Sequence, residues 1–210
     1  MKKELAKRII SSVILIPFAL FFIIKGSFLF NFFICICFLI TSYEWHMMTK
    51  KKKYSIFGFL FLIISFYSIY KLRNNLPGDY VWLLGITIVC VSTDIGGYIF
   101  GNIFKGPKLT KISPKKTYSG VLGSYFLSII SSINYIDYYE LNYWTDNELL
   151  IIILLISSIS QIGDLIISYF KRKSKIKNTG NIIPGHGGFL DRIDGIIFAV
   201  PFAHILLKIF

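Results

Sequence analysis

Seven almost unbroken apolar stretches run through the chain, at roughly 9–24, 27–43, 54–70, 81–103, 120–136, 149–170 and 195–210. A helix needs about 20 residues to cross the hydrocarbon of a bilayer, and most of these stretches are near that length, the last being short. Inside lipid every backbone N–H and C=O must be paired within the protein, which leaves only helices and closed barrels. Barrel strands alternate with a period of two over about ten residues, and these stretches do not alternate. The sequence therefore predicts an all-α polytopic bundle of about seven transmembrane helices, forming one membrane domain over residues 1–210. A content of 54% hydrophobic residues and a mean hydropathy of +0.63 exclude an ordinary soluble domain.

The first stretch follows a basic lead of Lys2, Lys3, Lys7 and Arg8 but runs into Lys25-Gly26 without a small-x-small cleavage pattern, so it reads as a retained span. The net charge of +12 raises the question of a nucleic-acid partner. Of the 23 Lys and Arg, 18 fall in four clusters: the N-terminus, Lys50–Lys53, Lys105–Lys116 and Lys171–Lys177. Threading seven spans puts all four on one side, while Asp137, Glu140, Asp146 and Glu148 lie on the other. The positive charge is thus a topology signal with no nucleic acid implied, and it places the N-terminus in the cytosol. Cys35, Cys37 and Cys90 lie in apolar stretches without metal spacing and read as buried small hydrophobes.

A carboxylate within a span costs at least a few kcal/mol and is by default a functional signal. Four stand out: Asp94, Asp164, Asp191 and Asp194. Gly97 and Gly101, after Asp94, form a G-x-x-x-G packing pattern. Asp164, Ser168 and Lys171 follow at i, i+4 and i+7, which puts a carboxylate, a hydroxyl and an ammonium on one helix face. Asp191 and Asp194 are three apart in the first turns of the last predicted helix, where the dipole favours anions. Pro184, Gly185, Gly187 and Gly188 before them allow a tight loop and close backbone approach to a ligand.

Hard carboxylate oxygens suit Mg²⁺, and clustered Lys and Arg suit phosphate. There is no Walker loop, and His46, His186 and His204 lack zinc spacing. These residues point to metal-assisted phosphoryl or nucleotidyl transfer at the cytosolic membrane face.

The stretch from Gly163 to Asp194, "GDLIISYFKRKSKIKNTGNIIPGHGGFLDRID", resembles the signature of the phosphatidate cytidylyltransferase (CDP-diacylglycerol synthase) family. Ser168, Lys171, Arg172, Lys177, His186, Gly187, Gly188, Asp191, Arg192 and Asp194 stand at its spacing. "ISPKKTYSG" is similar to the family's S-P-K-K-T-W-E-G, with Ser113, Pro114, Lys115, Lys116, Thr117 and Gly120 in place. Asn178 and Ser119 stand where the family usually has Asp and Glu.

The resemblance covers roughly residues 90–200 and implies a catalytic part over 81–210 behind N-terminal spans over 1–80. It implies CTP and phosphatidate as substrates, Mg²⁺ with a potassium-like second cation, and a homodimer in the inner (cytoplasmic) membrane. Asp164 and Asp191 correspond to the family's metal-binding aspartates, with Asp194 and Asp94 as further ligands or supports. On this reading Lys115, Lys116, Lys171, Arg172, Lys177 and Arg192 meet phosphates. Ser113, Thr117, Ser168, His186, Gly187 and Gly188 position the substrates. Two other readings stay open: a cytidylyltransferase for another phospholipid or isoprenoid phosphate, and an inactive or transport relative. A CDP-alcohol phosphotransferase is disfavoured, because "DRIDG" lacks that family's Ala-Arg pair and Asp spacing.

Overall fold

The computed structural model describes residues 2–50, 52–74, 80–141, 144–183, 185 and 187–209. Among them it is helical throughout, with no strand and only two isolated β-bridges. The elements are α1 (Lys2–Lys25), α2 (Ser27–Thr49), α3 (Ser55–Asn74), α4 (Val81–Phe104), α5 (Tyr118–Tyr138), α6 (Asp146–Lys173), α7 (Leu190–Ile193) and α8 (Ile196–Ile209). Five of them, α2 to α6, are long and apolar enough to cross a bilayer, and Val13–Lys25 and Ile196–Leu207 are shorter apolar helices. The seven apolar stretches thus each become a helix of a multi-pass membrane protein.

One detail differs from expectation. The last stretch does not open as a continuous helix: α7 is a separate four-residue turn, and Asp194-Gly195 forms the joint before α8. Gly195 packs against Ser160 of α6, where a Cβ would collide, so close approach to α6 fixes the joint.

Helix ends are marked by local chemistry. Thr117 caps α5 by accepting from the Gly120 N–H at 3.1 Å. Thr145 and Glu148 form a reciprocal capping box that starts α6. On the opposite end of the bundle from the signature loop, the buried Arg73 donates to the last carbonyls of α1, Ile23 and Ile24, at 2.6 and 3.1 Å.

Lipid-facing and protein-facing surfaces divide cleanly. Phe28, Phe57, Leu122 and Tyr138 stand on the outside, at least 70% exposed, as side chains that face hydrocarbon can. Cys35, expected to be buried, also lies on this outer surface. The centre belongs to α8, whose Ile197, Ala199, Val200 and Ala203 are fully buried against α3, α4 and α6.

Between α4, α5 and α6 the contacts are small and polar. Ser124 donates to the Thr93 carbonyl at 2.7 Å, Thr93 and Ser157 share a hydrogen bond of 2.8 Å, and Tyr125 and Ser158 another of 2.8 Å. Water does not compete for such bonds in hydrocarbon, and small residues let backbones approach, so this pattern holds helices together in lipid. The α4–α5 pair is the most extensive. Gly97 and Gly101 of the G-x-x-x-G pattern face Gly120 and Thr117, and Gly96 lies against the Gly123 and Ser124 backbone.

A Cβ at Gly96 would meet backbone, which cannot turn aside as a side chain could. Gly96→Ala is therefore expected to cost about 1–3 kcal/mol, read as a lower Tm in detergent. An unchanged Tm would show that α4 and α5 are not packed this closely.

Candidate active site

The site is assembled at the end of the bundle where α4, α6 and α7 meet the α4–α5 connection and the 174–189 segment. Asp164 sits on the helix face predicted for it. Its Oδ1 accepts from Ser168 at 3.3 Å, and its Oδ2 is ion-paired with Lys116 at 2.5 Å. Lys116 comes from the "SPKK" turn, whose own N–H donates to the Ser113 carbonyl at 3.0 Å. The Ser113 N–H is held in turn by the Thr110 hydroxyl at 3.2 Å. A loop 45 residues upstream is thereby delivered onto α6, and the Lys116 ammonium also reaches the Gln161 carbonyl at 3.5 Å.

One helical turn on from Ser168, the buried Lys171 crosses to Asp191 at 2.8 Å. Asp191 uses both oxygens: Oδ1 takes Lys171, while Oδ2 accepts the backbone N–H groups of Thr179 and Gly188 at 2.8 and 3.1 Å. This carboxylate therefore joins α6, both ends of the Gly-rich segment and α7. Between those ends a short hairpin closes through reciprocal Ile183 and Gly187 backbone bonds of 2.9 and 3.1 Å. Gly187 has φ +97 with Asn178 packed against it, a conformation and a clearance that only glycine satisfies. His186 lies outside the described residues.

Asp194 parts company with Asp191. It is buried at the joint, accepts from the Gly195 N–H at 3.0 Å, and has Asp164 as a charged neighbour. Burial holds the Asp194 carboxyl well above the usual carboxylate range, and the Asp164 charge pushes the same way. Asp94 on α4 completes the group, with Asp164, Lys116 and Arg192 as its charged neighbours.

The remaining predicted residues have distinct surroundings. Thr117 spends its hydroxyl on the α5 cap and on Ser119, which in turn donates to the Lys105 carbonyl at 3.2 Å. Arg172 donates to the Ile176 carbonyl at 3.1 Å near the end of α6. Lys115, Lys177, Asn178 and Arg192 are exposed around the rim, while Gly188 is buried beneath it.

The donor set suits a hard cation. The ammonium groups of Lys116 and Lys171 sit directly on the carboxylates of Asp164 and Asp191, and the Asp164 charge reaches Asp194. Among the described residues no three Asp, Glu, His or Cys side chains converge on one point. An ion held here would need phosphate and water to complete its shell, which is the usual habit of Mg²⁺.

One participant was missed in the sequence. Glu44 of α2 is buried and reaches the same segment, accepting from the Thr179 hydroxyl at 2.9 Å and from the Phe189 and Leu190 N–H groups at 2.8 Å each. A carboxylate directly at the end of the second apolar stretch was the available signal.

Fold and site together define a polytopic α-helical membrane protein with a phosphate-suited, carboxylate-rich site at one end of the bundle. The sequence matches the Cytidylyltransferase family over residues 6–75 and 54–210, and the chain belongs to that family. It is 37% identical over 207 residues to the phosphatidate cytidylyltransferase of Rickettsia typhi, covering 95% of this chain and 90% of that protein. It is 36% identical over 207 residues to the Rickettsia bellii phosphatidate cytidylyltransferase, with coverage of 95% and 89%. The phosphatidate cytidylyltransferase of Staphylococcus aureus (strain COL) is 35% identical over 185 residues, 83% of this chain and 67% of that protein.

Removing the Lys171 ammonium leaves Asp191 charged and poorly hydrated. Lys171→Met is expected to cost about 3 kcal/mol, measured by chemical denaturation in detergent. Adding Asp191→Asn should recover part of that loss, and no recovery would mean that the pair is not coupled.

Proposed function

We propose that the chain is a phosphatidate cytidylyltransferase, which transfers the cytidylyl group of CTP to phosphatidate and gives CDP-diacylglycerol and pyrophosphate. The observation that carries this reading is the double ion pair: Lys116 with Asp164 and Lys171 with Asp191 bring ammonium and carboxylate groups from three separate segments to one place. The names of the curated relatives agree with it.

The reaction needs little proton chemistry. The second pKa of a phosphate monoester is near 6, so phosphatidate is largely a dianion at neutral pH and its oxygen attacks the α-phosphorus directly. A new P–O bond forms as the α–β bridge breaks, and the electron pair leaves with pyrophosphate. The difficulty is bringing two polyanions together in line.

Lys115, Lys116, Lys171, Arg172, Lys177 and Arg192 would bind and orient the phosphates, and the exposed members of this set stand on the rim through which a nucleotide approaches. Ser113, Thr117, Ser168 and His186 are positioning groups, and Gly187 and Gly188 let the backbone come close. Asp164 and Asp191 would hold Mg²⁺, assisted by Asp194 and Asp94, with a potassium-like ion as second cation. That metal supplies charge neutralisation on the transferring and departing phosphates.

Lys116 and Lys171 can move from carboxylate to phosphate without leaving the site, which keeps the carboxylates compensated while the site is empty of substrate. The four basic clusters support a site on the cytosolic side of the inner membrane, where CTP is available. A homodimer is part of the same reading.

The test is incubation of solubilised protein with labelled CTP and phosphatidate, with and without a chelator. Chelator-sensitive CDP-lipid is expected, and its absence with phosphatidate but presence with another lipid phosphate would reassign the substrate. Asp191→Asn should abolish the product while the protein still inserts in membranes. Full activity in that variant would remove Asp191 from the metal site.

A further inference from the structure

The N-terminal spans contribute one side chain to the site, and the reaction just described gives it no task. Glu44 is 1% exposed and lies on α2 five residues before the helix ends. Its three donors are 135, 145 and 146 residues away in the chain. They bracket one segment: Thr179 opens it, Phe189 and Leu190 close it, and the Gly-rich hairpin lies between.

The carboxylate also dictates the composition of that segment. A Cβ on Gly180 would come within 2.6 Å of a Glu44 oxygen, and one on Gly188 would meet the Thr179 hydroxyl first and a Glu44 oxygen at 2.6 Å. Asp191 grips the same segment from within, through the N–H groups of Thr179 and Gly188. Thr179 thus gives its hydroxyl to one carboxylate and its N–H to the other. Three donors converge on two oxygens, and only an acceptor-only group satisfies all of them; a glutamine would turn an NH₂ toward one.

We propose that Glu44 is the positioning residue of the nucleotide site: it clamps both ends of residues 179–190 against α2 and so sets where Asp191 and Arg192 stand. The inference rests on the reading of this segment as the nucleotide and metal site. Groups that orient a metal-binding carboxylate affect metal affinity and turnover nearly as strongly as the ligand itself.

Glu44→Gln and Thr179→Val in the full chain, purified in detergent, test it with two readouts. Hydrogen exchange without substrate should rise about tenfold or more in peptides spanning 178–192 of Glu44→Gln, with α4 and α5 as protected as in the wild type. In the CDP-lipid assay the half-saturating Mg²⁺ and the KM for CTP should rise about 10- to 100-fold. A merely structural tether would lower the amount of active enzyme, reducing the maximal rate at unchanged KM and metal requirement, and that result overturns the proposal. So does unchanged exchange in the 178–192 peptides.

If Glu44→Gln loses protection in every span, Thr179→Val decides. It keeps the carboxylate and both backbone bonds but removes one donor. About threefold changes are expected in the same peptides and the same KM, and wild-type values overturn the proposal. The exchange readout needs no substrate. If the wild type forms no CDP-lipid, the proposed reaction fails while the clamp is still judged on exchange alone.

Discussion

The site depends on one carboxylate with partners on both of its oxygens. Asp191 holds Lys171 with one oxygen and two backbone N–H groups with the other, and each bond comes from a different part of the chain. Buried charges persist only when paired and hydrogen-bonded, so the loop, the end of α6 and α7 must arrive together or the charge is left uncompensated. The Gly-rich segment is therefore shaped by its ends rather than by regular structure of its own.

A second layer lies one helical turn deeper. Asp164, Asp194 and Asp94 put three acidic groups beside the ammonium groups of Lys116 and Lys171, with the Arg192 charge facing Asp94. Such crowding is unfavourable unless a proton or another cation compensates it, and it raises the Asp194 carboxyl above the usual carboxylate range on top of the effect of burial. Carboxylates and ammonium groups are thus crowded together at this end of the bundle. A reaction between a triphosphate and a phosphate monoester needs both kinds of group within a few ångströms.

Much of this was legible in the sequence because the governing patterns are local. The spans follow from runs of apolar residues, and the shared face of Asp164, Ser168 and Lys171 follows from helical spacing. The packing role of Gly97 and Gly101 follows from their small size. The joint at Asp194-Gly195 was not legible, because it is set by close approach to Ser160 on another helix. It separates two aspartates that spacing alone puts on one face: Asp191 turns to the loop and Asp194 to Asp164. Glu44 was visible as a carboxylate at the end of an apolar run, but its partners lie more than 130 residues away, and no local pattern carries that distance. The hydroxyl of Thr117, read as a substrate contact, is engaged as a helix cap, a use that nearby sequence also signals.

The long reach of Glu44 also orders the assembly of the protein in time. Chain growth delivers α2 to the membrane long before Thr179, Phe189 and Leu190 exist, so the helix must insert carrying a carboxylate with none of its final donors. Near a helix end that burden is tolerable, at up to ~3 kcal/mol, because the side chain can reach toward the interface. It is relieved only when the last quarter of the chain arrives, so the N-terminal hairpin waits in a less settled state and the C-terminal segment completes it.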